Sequence, residues 1–410
     1  MWGTMFRAPF LFRAALHYSP MKMMRRIFAI LLLIAPPAYL LAGGSAAKPG
    51  AASKYLVFVG TYTAKTESKG IYTYEFDANS GKLAPKGLAA ETPDPSWVAV
   101  HPSGRYAYAA NESGKASKVS AFAVDAKSGK LTLLNQIPSL GEDPCHLSFD
   151  KTGKYLFVAN YSSGTVAVFP ILADGRLGEH TALVKDQGAT GPNKERQEAP
   201  HAHWIGVTPG NLFAFVADLG LDEVLMYRFD ANKGSLVPHE PAFAALEAGA
   251  GPRHIAIHSN GRFVYVLNEL KSTVTVFSSA AEKKNQPYLV LKQEISALPK
   301  NFSGRNDAAE IALHPSGKFL YASNRGHDSI AIFSIDPAMG TLTLAAHVPT
   351  GGKEPRHFAI DPSGKYLLAE NQLSNSVVVF KIDRATGRLT PSGEVVEVPS
   401  PVSIAFLPQE

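Results

Sequence analysis

Ionisable side chains recur at fixed distances from a repeated turn, and these slots hold the chemistry this chain can perform. With Gly104, Gly153, Asn211, Gly261, Gly317 and Gly364 taken as the turn, the residue eight places earlier is Ser96, Cys145, His203, Arg253, Ala309 or Arg356. Its C-terminal neighbour is Trp97, His146, Trp204, His254, Glu310 or His357. Eight places after the turn stand Glu112, Tyr161, Leu219, Glu269, Arg325 and Gln372. Arginine presents parallel N–H donors that match a carboxylate or phosphate. Histidine and glutamate can exchange protons near neutral pH. Gathered in one place, these types suit a small, anionic, oxygen-rich substrate. No G-x-S-x-G nucleophile motif occurs, so a covalent acyl-enzyme is not favoured. His201-Ala202-His203 is the one ligand-type pair that stands out, and neither a metal nor a cofactor is expected. Cys145 reads as a small buried filler.

The elements that must position these residues follow from the repeat. The phrase is a short apolar strand, a tight turn, an aromatic-rich strand and an Asn or Asp, and its starts lie about 50 residues apart. Around Gly261 the arms Ile255-Ala256-Ile257 and Phe263-Val264-Tyr265-Val266 are β-branched and aromatic, as strands prefer. Two further strand-like runs complete each repeat, giving the four-stranded blade of a propeller. Six intact phrases are visible and a seventh is split. Ser53 to Gly60 supplies its second strand and Val402 to Leu407 its first. The expected fold is therefore all-β: a seven-bladed β-propeller with four-stranded blades, one of them closed by strands from both chain ends. Sharing a blade removes free edges, which an open solenoid has no need to do. Positions eight before and eight after one turn are expected to face each other. Arg253 then opposes Glu269, Ala309 opposes Arg325, His203 opposes Leu219 and Arg356 opposes Gln372. With the first strand innermost, all of them ring one mouth of the channel. The repeated Asn and the turn histidines His101 and His314 read as structural.

The chain has 410 residues and a net charge of +5, without the basic stripe and interleaved aromatics of a nucleic-acid binder. Met21-Lys22-Met23-Met24-Arg25-Arg26, then apolar Ile27 to Ala42, then small residues, is the order of a secretory signal. Residues 1–50 are expected to be a signal peptide and leader, and 51–410 the propeller. The protein is then periplasmic or secreted, meets a membrane only through its export signal, and is a monomer. One cysteine excludes an internal disulfide. The inserts Gln187 to Ala199 and Ala280 to Gln286 read as solvated spacers, with recognition loops as the other reading.

At this point the chain resembles the lactonase family of seven-bladed propellers, whose members include 6-phosphogluconolactonase and the fungal carboxy-muconate cyclase. The resemblance spans about residues 54–408 and rests on Val59-Gly60-Thr61-Tyr62-Thr63, Pro200-His201-Ala202-His203, Gly251-Pro252-Arg253-His254, Leu267-Asn268-Glu269-Leu270, Ser323-Asn324-Arg325-Gly326 and Glu354-Pro355-Arg356-His357. It implies hydrolysis of a sugar-type lactone, or closure of a related one, with His203, Arg253, Glu269 and Arg325 as catalytic groups, His201 being the other candidate for the histidine. Glu269 or His203 would be the base. His146, His201, His254, Glu310, Arg356 and His357 are expected to bind the substrate. A non-catalytic binding propeller is the alternative, because Val264-Tyr265-Val266-Leu267-Asn268 also resembles surface-layer-type repeats.

Overall fold

The structure, a computed structural model, describes residues 52–279 and 289–409. The export segment and the Ala280 to Gln286 insert lie outside the described residues. The rest forms seven four-stranded antiparallel sheets. Blade 1 joins Pro401–Pro408 to Lys54–Thr61, Gly70–Asp77 and Lys82–Glu91. Blades 2 to 7 follow in chain order at 95–138, 144–185, 202–245, 252–296, 307–349 and 355–397. The first strands of neighbouring blades touch one another, so they are the innermost. Blade 1 closes by antiparallel pairing that runs from Tyr55↔Pro408 to Thr61↔Pro401. This pairing stitches the two ends of the domain into one sheet.

Apolar residues form seven buried clusters, each shared by two adjacent blades. Phe157 and Val168 of blade 3, for example, pack on Ile205 and Val216 of blade 4. Both faces of each blade are covered in this way, which is why the second and third strands are almost continuously buried. The six turn residues sit at φ between +57° and +71°. That explains five glycines and an asparagine there. The turn histidines also tie blades together: Nε2 of His101, His258 and His314 bonds the carbonyl of Gly153, Gly317 and Gly364 in the next blade.

One recurring irregularity matters for function. In blades 2, 3, 4, 5 and 7 the first strand carries a β-bulge, and the extra residue is Ser96, Cys145, His203, Arg253 or Arg356. A bulged residue has no partner across the ladder and is re-aimed. The expected cross-hairpin pairs are therefore corrected. Arg253, His203 and Arg356 have no Cα partner, and Arg325 pairs with Asp307 rather than Ala309.

The repeated Asn is structural. Asn111, Asn160, Asn324 and Asn371 are buried and donate from Nδ2 to carbonyls of the preceding loop. Blade 4 has Asp218 in this slot. Its Oδ1 accepts from the backbone N–H of His201, Gly220 and Leu221. Beside it lies buried Asp186, which burial and the Asp218 charge push well above the usual carboxyl range. Asp186 thus carries a proton and donates it to Asp218, while Oδ1 of Asp186 accepts from Tyr227 at 3.2 Å. An acid with a raised folded pKa contributes fully at low pH and loses that contribution as pH climbs toward its folded value. Asparagine keeps a donor toward Asp218 and never ionises. Asp186→Asn should raise Tm at pH 8 by about 2–4 °C, the equivalent of about 1 kcal/mol, and change it little at pH 5. Circular-dichroism melts across that range check this, and a pH-independent shift would contradict it.

Candidate active site

The bulged residues and the ends of the second strands meet at one mouth of the ring and enclose a cup of about 560 Å³. On one side Glu269 is the focus. Its Oε2 lies 2.9 Å from Arg253 Nε and 3.2 Å from Arg325 Nη2, and its Oε1 accepts from Arg196 Nη2 at 2.6 Å. Three guanidinium groups thus surround one carboxylate that is 4% exposed. On the other side Arg356 Nη2 donates to Tyr62 Oη at 2.8 Å, and Tyr62 donates onward to Glu112 at 2.9 Å. Cys145, Tyr161 and His203 form the wall between the two arms.

The floor is solid. The Trp97 ring sits 4.5 Å from His146, 5.2 Å from His357 and 5.4 Å from His254, centroid to centroid. The next cavity down measures only about 10 Å³, room for one water at most. Ligands therefore enter and leave by one mouth.

Of the expected site residues, His203, Glu269, Arg325 and Arg356 line the cup. Arg253 stands directly behind Glu269 and is 4% exposed. His146, His254, Glu310 and His357, expected among the substrate-binding groups, do not line the cup. His146, His254 and His357 follow the bulge by one residue, Glu310 holds the same slot within the irregular stretch of blade 6, and all four lie in the buried layer beneath. His201 does not line the cup either. It stacks on Tyr161 at 4.4 Å and 12°, and its Nε2 lies 3.2 Å from Glu198. Arg196 was not anticipated, because it belongs to the insert before blade 4 and occupies no repeat slot. Most of the insert is exposed, as a solvated spacer would be, but its C-terminal part is built into the fold: Gln197 is fully buried and bonds Asp222 and the Leu219 carbonyl.

The charges settle several protonation states. Burial alone would raise the Glu269 pKa, but Arg325, Arg253 and Arg196 hold it down at about 2. Burial, with the Arg253 charge next, pushes His203 well below the usual imidazole value, so it is neutral at pH 7. Its Nδ1 lies 3.6 Å from Cys145 Sγ. Burial pushes the Cys145 thiol far up, which leaves it protonated and unreactive. Among the described residues no group of three or more His, Cys, Asp or Glu is placed to hold a metal ion. The cup can orient an anionic or carbonyl-bearing molecule against guanidinium donors, with a neutral imidazole alongside.

Comparison with known proteins gives a consistent picture. The family model described as "Lactonase, 7-bladed beta-propeller" matches residues 56–406. A protein of Bacillus subtilis (strain 168) named 6-phosphogluconolactonase is 37% identical over 309 residues, 75% of this chain and 85% of that one. A 6-phosphogluconolactonase of Formosa agariphila is 35% identical over 308 residues, 74% of this chain and 85% of its own length. The solved structure of the periplasmic gluconolactonase of Pseudomonas aeruginosa is 33% identical, with a TM-score of 0.80 over 87% of this chain and 99% of that one.

The depressed Glu269 pKa is a stability term. It is present in full above the unfolded-state value near ~4.3 and is lost as pH falls through about 2. Removing Arg196 leaves two guanidiniums and moves that window upward. Arg196→Ala should shift acid unfolding to higher pH and cost about 1 kcal/mol at neutral pH, since Arg196 is partly solvated. An acid titration followed by circular dichroism measures it, and an unchanged acid midpoint would show that Arg196 does not hold Glu269.

Proposed function

The chain belongs to the seven-bladed β-propeller lactonases, and on that premise we propose that the cup hydrolyses a sugar-type lactone. The observation that carries this reading is Glu269 with three guanidiniums at the mouth, next to neutral His203. Arg325 and Arg196 line the cup and donate to the lactone carbonyl as it becomes an oxyanion. A water attacks the carbonyl carbon and gives its proton to His203. The acyl–oxygen ring bond then breaks, and the departing ring oxygen takes the proton from the imidazolium. The product is a hydroxy acid whose new carboxylate faces the arginines. His203 rather than Glu269 serves as the base, because both carboxylate oxygens of Glu269 are already engaged by guanidinium groups. Glu269 organises the cations, and Arg253 anchors Glu269 from behind. Arg356, with Tyr62, holds an anionic or hydroxyl group elsewhere on the substrate.

The export-type leader of residues 1–50 favours a free aldonolactone in the periplasm, or a secreted enzyme, over a cytosolic sugar phosphate. The periplasmic gluconolactonase of similar fold supports the same assignment.

A pH-stat assay with a panel of aldonolactones, free and phosphorylated, tests the proposal. Glu269→Gln and Arg325→Ala should each lower kcat/KM at least about 100-fold, the scale of losing an oxyanion donor. Unchanged hydrolysis by both variants would remove the site. Because His203 stays neutral well below the ordinary imidazole value, wild-type kcat/KM should remain flat from pH 8 to below 6.5. An acid limb centred near 6.5 would indicate a different base.

A further inference from the structure

Beneath the floor of the cup runs a row of buried ionisable groups that the proposed reaction does not use. Arg253 Nη1 lies 3.3 Å from His254 Nε2 and also donates to the Ala309 carbonyl. His254 Nδ1 lies 2.9 Å from Glu310 Oε2. The same oxygen is 3.6 Å from His357 Nε2, and His357 Nδ1 is 3.1 Å from Glu370 Oε1. Ile311 N–H donates to Glu310 Oε1 at 3.0 Å. All five side chains are buried.

The polarity of this row is fixed by what each group can do. A guanidinium only donates, so His254 Nε2 must accept from Arg253. The proton of a neutral His254 is then on Nδ1 and points at Glu310. Burial and Glu310 act in opposite directions on His254 and leave it near 4, which keeps the ring neutral. Burial also opposes protonation of His357, but Glu370 and Glu310 outweigh it and raise its pKa; its Nδ1 hydrogen-bonds Glu370, and its Nε2 faces Glu310 as an electrostatic contact. Donors therefore run from Arg253 through His254 into Glu310, and Glu310 is braced from its other side by His357.

Filling the channel does not require such groups. The same slot holds Trp97 in blade 2, Trp204 in blade 4 and Ser403 in blade 1. The connected row occupies blades 5, 6 and 7, beginning at the blade that carries Arg253 and Glu269. Buried ionisable groups are costly unless their partners are complete, and this row is completed toward Arg253.

We propose that His254 and Glu310 are positioning residues for the lactonase site: their directional contacts fix the guanidinium plane of Arg253, and through it the Glu269 carboxylate in the cup wall. The assignment rests on the lactonase reading of the cup. It predicts an effect on the reaction from residues with no surface in the cup.

The experiment compares His254→Phe, His254→Gln, Glu310→Gln and Trp204→Phe, each checked by thermal melting. Phenylalanine at 254 removes the acceptor and the donor, whereas glutamine can supply both. His254→Phe and Glu310→Gln should lower kcat by about 10- to 100-fold, the scale of a small displacement of reacting groups, with KM within about threefold. His254→Gln should recover most of the loss. Trp204→Phe, an equal disturbance of packing in the same layer, should stay within about twofold of wild type. A second readout needs no activity. In ¹⁵N spectra of arginine- and histidine-labelled protein, the wild type should show a rotationally hindered Arg253 guanidinium and a His254 ring protonated at Nδ1. His254→Phe should release the guanidinium. A wild type that opens none of the lactones would overturn the functional reading, and the spectra would then decide the positioning role on their own. Wild-type kcat in folded His254→Phe, or a Trp204→Phe loss as large as that of His254→Phe, would overturn it. So would a freely rotating Arg253 in the wild type. If His254→Phe does not fold, His254→Gln and Glu310→Gln carry the same test.

Discussion

Three guanidinium groups converge on the Glu269 carboxylate, and like charges at this spacing stay together only if something rigid holds them. Arg253 and Glu269 belong to blade 5, Arg325 to blade 6, and Arg196 to the insert leading into blade 4. A local segment cannot supply that arrangement. The closed ring can, because its first strands pack side by side at fixed spacing and the Tyr55 to Pro408 seam prevents the sheets from spreading. The close-packed clusters between blades remove the remaining freedom.

The same electrostatics divides the work in the cup. Glu269 offsets part of the surrounding positive charge, with both of its oxygens facing guanidinium groups. His203 is kept neutral by burial and by nearby Arg253. Arg356 sits apart and donates to a phenol rather than to a carboxylate. Two cationic arms with different partners give the cup a direction, so a bound molecule has a defined head and tail.

Most of this architecture was legible in the sequence because a repeat turns residue number into spatial position. The turn glycines marked each hairpin, the apolar runs marked the strands, and the truncated halves at Tyr55 and Val402 marked the closure. The slots that held His203, Glu269, Arg325 and Arg356 were read correctly as one mouth. What could not be read was the bulge. It gives Arg253 and His254, adjacent in sequence, different tasks: one backs the cup and the other lies beneath it. A regular two-residue alternation contains no sign of this, so His146, His254, Glu310 and His357 were expected in the cup. Arg196 was invisible for another reason. Its insert has no counterpart in the other blades, and only the burial of Gln197 and the Glu269 contact reveal that it belongs to the site.

The cup is lined from six of the seven sheets, and Tyr62 of the remaining one holds Arg356 in place. A molecule seated there acts as a hub to which nearly every spoke is fastened. By linkage, occupancy strengthens the whole wheel by RT ln(1 + [L]/Kd), including the seam where the chain's two ends meet. Lactone or hydroxy acid in the surrounding medium would thus act as a fastener, making an empty enzyme more open to unfolding and proteolysis than a working one.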